Sequence, residues 1–167
     1  LLQVITLSDR SVGVSYIEAD DMPRYHSLIS PFVGGFSKVA DDLKAPSRAF
    51  KKIVEAQELM GMNIAAGKVL VDLGASPGGW TYIARLNKAN VIAIDRSPLA
   101  PELMKDKSVQ FIKADAFKYE PTVDIDWVVS DIIAGPERIL ELVQNWVVGK
   151  KCQNFIFTIK FQGHQEY

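Results

Sequence analysis

From Gly67 onward the chain alternates short apolar runs with stretches able to form helices, and no other feature limits the fold as tightly. The runs are 68–75 (KVLVDLGA), 89–96 (ANVIAIDR), 109–115 (VQFIKAD), 126–131 (DWVVSD) and 154–160 (NFIFTIK), all rich in Val, Ile or Phe. Between them lie GWTYIARLN, PLAPELMKD and PERILELVQNWVVG. In the last, Pro136 suits a first helical position and Gly149 falls just past the end. Continuous apolar strands imply burial on both faces, and their alternation with helices predicts an α/β fold with a mainly parallel, doubly wound sheet.

The remainder of the chain reads differently. Residues 1–7 and 12–19, separated by the polar turn SDRS, predict a β-hairpin. Residues 20–46 hold Pro23, Pro31, Gly34, Gly35 and Pro46 and read as a long connection, with the domain boundary placed between 31 and 32. Ser47 is the expected N-cap of a helix over 48–60, whose stripe of Phe50, Ile53, Val54, Gln57 and Met60 is mostly apolar. The first residue is Leu rather than Met and the last lies a few residues past a strand, so we read the sequence as part of something longer, ending after the fifth parallel strand.

Composition narrows the class of function. Nineteen basic and twenty acidic residues leave a net charge of −1, which argues against a protein held on nucleic acid by global charge. The single cysteine, Cys152, permits no internal disulfide and suggests a reducing, cytoplasmic compartment. No apolar run is long enough for a membrane span. His26 and His164 lack ligand-spaced neighbours, so no metal is expected.

In a doubly wound sheet the ligand crevice lies at the carboxyl ends of the strands, where strand order reverses. Gly74, Ser76, Pro77, Gly78, Gly79 and Trp80 follow the first of these strands and would wall that crevice. Their G-x-x-x-G-G spacing is neither the dinucleotide fingerprint nor a Walker A loop. Pro77 also removes a backbone donor that a phosphate cradle would use. Asp95 lies 21 residues after Gly74, close to the interval at which a carboxylate grips ribose hydroxyls. Asp115, one strand over, is placed to accept from an adenine amino group, and a third carboxylate at the crevice favours a cation. A phosphate-free, positively charged adenosine describes S-adenosyl-L-methionine. Each feature has a plainer reading alone: strand-end aspartates cap helices and paired glycines shape turns. Their occurrence in order on successive strands carries the reading.

With PSRAFKK (46–52), DLGASPGGW (72–80), the aspartates at 95 and 115, VVSD (128–131) and FTIKFQG (157–163), the chain resembles the FtsJ-like RNA 2′-O-methyltransferases. GGWTYIA, and DWVVSD without a following Pro-Asn, resemble the branch that methylates a cytidine ribose in large-subunit ribosomal RNA. The resemblance implies a Rossmann-like methyltransferase fold and S-adenosyl-L-methionine as cofactor. It implies cofactor contacts at Ser76, Pro77, Gly78, Gly79, Trp80, Asp95, Asp115 and Asp131. It implies a catalytic group of Lys52, Asp131 and Lys160, with Lys160 as proton acceptor, and ribosomal RNA as partner. It also implies a fourth catalytic residue, a glutamate on a later strand; Glu166 is too close to Lys160 to be that residue. IIAGPE (132–137) replaces the Met-Ala-Pro-Asn of many relatives. An RNA-binding domain upstream of Leu1 is expected from the same branch.

A ribose hydroxyl is a weak nucleophile until its proton leaves, so the reaction needs a base within hydrogen-bond reach. Two lysines side by side disfavour charging both, while an aspartate between them favours the ammonium and orients the amine. Lys38, Lys44, Arg48, Lys51 and Lys52 outnumber Asp41 and Asp42 over 38–52, a segment suited to phosphate contacts. Three alternatives remain at this stage: a methyltransferase of a non-RNA substrate, a nicotinamide-dependent oxidoreductase, and a cofactor-binding module without catalysis.

Overall fold

A computed structural model describes residues 2–7, 10–25, 38–64 and 67–161 of the chain. They divide into two compact units, Leu1–Ala40 and Asp41–Tyr167. The expected boundary between 31 and 32 lies outside the described residues, as do His26, His164 and Glu166.

In the first unit β1 (Leu2–Thr6) pairs antiparallel with β2 (Val12–Tyr16), Leu2 opposite Tyr16 and Thr6 opposite Val12. This is the expected hairpin. A 3₁₀ turn (Ala19–Asp21) and a single helical turn, α1 (Met22–Tyr25), follow it.

The second unit holds a five-stranded parallel sheet. Its strands are β3 (Val69–Leu73), β4 (Asn90–Asp95), β5 (Val109–Lys113), β6 (Trp127–Ser130) and β7 (Asn154–Phe157), in spatial order β5-β4-β3-β6-β7. The chain winds outward from β3 to β5, then returns across the sheet to β6 on the other side of β3. Strand order therefore reverses between β3 and β6, where a ligand crevice is expected.

The helices are α2 (Phe50–Met60), α3 (Gly79–Leu86), the short α4 (Pro101–Met104) and α5 (Pro136–Val143), the last continued by a π-helical turn over Gln144–Val148. On β3, Val71 and Leu73 are wholly buried and pack with Ile139, Leu142 and Trp146 of the α5 region. Asp72, alternating with them, faces α3 and accepts from Thr81. Both faces of the strand are covered, as the unbroken apolar runs required.

The termini of the elements differ from expectation. Ser47 is not the N-cap: α2 starts at Phe50, Ala49 holds the cap position, and no side chain caps it. The strand expected over 154–160 ends at Phe157, so Lys160 sits three residues beyond the ladder. The helix in PLAPELMKD is confined to 101–104.

Candidate active site

Above the carboxyl ends of β3, β4 and β6 lies a cavity of about 450 Å³. The glycine loop forms one wall, the segment after β6 another, and the residues before α2 a third. Its lining includes Gly74, Ser76, Pro77, Gly79, Trp80, Asp95, Asp131 and Lys160. A second hollow, with Asp115 and Phe117 on its wall, shares Gly74, Asp95, Ile132 and Ile133 with the first. The two form one crevice along the strand ends. Asp115 lies two residues past β5 and reaches only the second hollow.

Three residues remote in sequence meet at the edge of the first cavity. Lys52 of α2 donates to both carboxylate oxygens of Asp131, at 2.8 and 2.9 Å. Lys160 donates to the main-chain carbonyl of Asp131 at 2.6 Å and lies 3.1 Å from its carboxylate. Asp131 itself follows directly on β6. The Asp131 and Lys160 side chains are 14% and 22% exposed, whereas Lys52 is 47% exposed. The carboxylate thus holds one amine against the cavity and a second toward solvent.

The glycines earn their places through close contacts. Gly74 has φ +72°, and a Cβ there would stand 2.3 Å from Cγ1 of Ile132. A Cβ on Gly79 would stand 2.5 Å from Ser47 Oγ and 3.2 Å from the Phe50 backbone nitrogen, so the absence of a side chain lets α3 start against the entry to α2. Gly78 (φ +114°) is turned toward Leu103 rather than into the cavity. Trp80 is buried and donates its Nε1 proton to the Ala49 carbonyl at 2.9 Å, tying α3 to the same entry. The loop thus binds the site's walls to one another as well as facing its interior.

The carboxylates are held in distinct ways. Asp95 accepts from the backbone nitrogens of Ser76 (2.9 Å) and Ser97 (2.8 Å), which fixes the loop to the end of β4. Asp115 accepts from the Phe117 nitrogen (3.0 Å) and from Arg96 (2.6 Å); these bonds lower its pKa below the usual carboxylate range. Asp72 is fully enclosed, and burial pushes its pKa up to about 7 despite the 2.7 Å bond from Thr81 Oγ1, with Asp95 and Asp131 adding repulsion. Among the described residues no cluster of His, Cys, Asp and Glu suits a metal.

Sequence reasoning passed over Ser47, reading it as a helix cap. Its Oγ is buried without a hydrogen-bond partner, and Ser47 lines the cavity beside Gly79 and Trp80. A buried hydroxyl left unpaired is costly, and this one is packed against Gly79. Ser47 lies within the basic segment, and only the approach of α3 shows what its side chain packs against. Ile132 and Ile133, which line both hollows, gave no signal beyond departing from the resembled motif.

Residues 45–154 match the FtsJ-like methyltransferase family. A ribosomal RNA large subunit methyltransferase M of Marinomonas sp. (strain MWYL1) is 36% identical over 149 residues, covering 86% of this chain and 43% of that protein. The protein of the same name from Tolumonas auensis is 34% identical over 174 residues, covering all of this chain and 46% of that one. The chain spans less than half the length of these relatives. A Plasmodium falciparum protein described as a ribosomal RNA methyltransferase superposes with a TM-score of 0.55 over 71% of this chain and 80% of its own, at 18% identity, a likeness that bears on the fold alone. With the family match extending from the basic segment before α2 to the start of β7, the chain belongs to the FtsJ-like methyltransferases.

Proposed function

We propose that this chain carries the catalytic centre of an S-adenosyl-L-methionine-dependent 2′-O-ribose methyltransferase whose substrate is large-subunit ribosomal RNA. The convergence of Lys52 and Lys160 on Asp131, at the edge of a cavity walled by the glycine loop, carries this reading. The relatives' names support the RNA substrate.

The residues present fit the cofactor. Asp95 at the end of β4 and Asp115 beside the second hollow suit ribose hydroxyls and a base amine, each having lone pairs beyond those already engaged. Asp131 places negative charge against a cationic ligand, and Asp72, which also lines the cavity, adds to it once pH rises past about 7. When bound, S-adenosyl-L-methionine supplies an electrophilic methyl on a positive sulfur.

The chain's own part is to place and deprotonate the ribose hydroxyl. Lys160 Nζ faces the cavity and takes the 2′ proton, while Asp131 fixes the direction of that nitrogen through its carbonyl and carboxylate. Lys52, on the same carboxylate, keeps Asp131 oriented. Two amines share one carboxylate, so a proton can leave the trio without stranding an unpaired anion. Holding hydroxyl and methyl in line then removes much of the remaining entropic barrier.

The test is transfer of labelled methyl to ribosomal RNA by the full-length enzyme, compared with the same RNA carrying a 2′-deoxy sugar at the target. Transfer lost with the deoxy sugar supports the reading. Transfer that persists moves the acceptor atom to a base and ends it.

A further inference from the structure

The turn that precedes α2 exposes a leucine and fixes it in place. Leu43 is 99% exposed. Its neighbour Asp42 accepts from the Tyr82 hydroxyl of α3 at 2.7 Å and from the Lys44 backbone nitrogen at 2.9 Å, while the Ala45 nitrogen donates to the Asp42 carbonyl. Leu43 therefore stands on a clamped turn rather than at a loose tip. Beside it is a hollow of about 520 Å³ whose walls carry Leu43, Pro46, Arg48 and Phe50 and also the two carboxylates Asp41 and Asp42. Ser47 lines both this hollow and the candidate active site, so the two adjoin. The acidic groups nearby are engaged: Asp41 pairs with Lys51 at 2.7 Å, and Asp42 is tied to Tyr82. Lys44 and Arg48 are exposed cations.

We propose that this hollow receives an unstacked RNA base flanking the target nucleotide, with Leu43 against one side of the base and the Arg48 guanidinium against it, and Lys44 on the adjoining phosphate. The inference rests on the RNA methyltransferase reading and adds a subsite to it. Leu43 and Pro46 with an arginine at the rim match the surfaces on which splayed RNA bases stack, the two wall carboxylates being engaged by Lys51 and Tyr82, and leucine is among the side chains that wedge between bases. A phosphate contact positions the strand, whereas a base contact holds one nucleotide in register.

The experiment uses the full-length enzyme, labelled cofactor and a ribosomal RNA fragment. Leu43→Ser changes only an exposed side chain, so folding is not at issue. We expect Leu43→Ser and Arg48→Ala each to raise KM for RNA by about fivefold or more, with kcat and cofactor affinity unchanged. An abasic nucleotide at one flanking position should raise the wild-type KM similarly and add nothing further in Leu43→Ser. Wild-type methylation with both variants' KM within about twofold of wild type overturns the subsite alone. A wild-type enzyme that methylates no RNA overturns the functional reading and this subsite with it.

Discussion

Lys160 reaches Asp131 twice, donating to its main-chain carbonyl at 2.6 Å and standing 3.1 Å from its carboxylate. The lysine lies three residues beyond the end of β7, and the aspartate directly follows β6. The pairing of those two strands, Ser130 opposite Phe157, brings the loops together. The amine is thus held at two points on one residue, at the wall of the cavity that Lys160 lines.

Replacing Lys160 by alanine should lower kcat for methyl transfer on the order of 10²–10⁴-fold while leaving cofactor affinity near wild type. Lys160→Arg should not restore activity, because a guanidinium does not give up its proton. Single-turnover rates together with calorimetric titration of the cofactor check both parts. Near-normal turnover in either variant removes Lys160 as the base.

Lys52 donates to both carboxylate oxygens of Asp131, so on the proposed mechanism the effects of losing Lys52 and of losing that carboxylate should not add. Lys52→Ala and Asp131→Asn are each expected to cost activity, and the double variant should lose little more than Asp131→Asn alone. A full set of kcat values for the cycle measures the coupling. Strict additivity would mean that the shared contact has no part in the reaction.

Gly79→Ala should destabilise the domain by roughly 1–3 kcal/mol, because the added methyl meets the Ser47 hydroxyl at 2.5 Å and the Phe50 backbone nitrogen at 3.2 Å. Backbone cannot swing aside as a side-chain tip does, so the α2 entry must shift and the cavity wall with it. Denaturant unfolding reads the stability, and cofactor titration should show weakened binding in the same variant. Wild-type values in both would mean that the two helices have room to separate.

Asp72 predicts a pH dependence with a definite sign. Its folded pKa is raised to about 7 by burial, so the folded protein binds a proton that the unfolded chain releases near 4. Between those values stability falls as pH rises, by on the order of a few kcal/mol in all. Asp72→Asn should flatten that slope. Ligand binding should run the opposite way, since the anionic carboxylate formed on passing pH 7 favours a cation in the cavity. Thermal melts and cofactor titrations from pH 5 to pH 8, on both proteins, give the two trends.

Much of this protein was legible in its sequence because strand signals are local. Val, Ile and Phe runs separated by helical stretches defined the parallel sheet, with the aspartates at 72 and 95 inside its strands and those at 115 and 131 just past the ends of theirs. The spacing in Gly74–Trp80 indicated a ligand without phosphate. Lys52, Asp131 and Lys160 were grouped by the family resemblance rather than by spacing or periodicity. The tertiary structure alone decided where side chains face and what they touch. Gly78 turns toward Leu103, and Gly79 leaves room for Ser47. The Ser47 hydroxyl is enclosed against Gly79 instead of capping α2, and Asp95 accepts from the backbone of Ser76 and Ser97. These facts depend on contacts between segments tens of residues apart, and a one-residue change in where a helix begins turns the face a side chain presents by about 100°. Propensity and spacing act along the chain, whereas enclosure, unpaired atoms and shared charges exist only once distant segments are packed together.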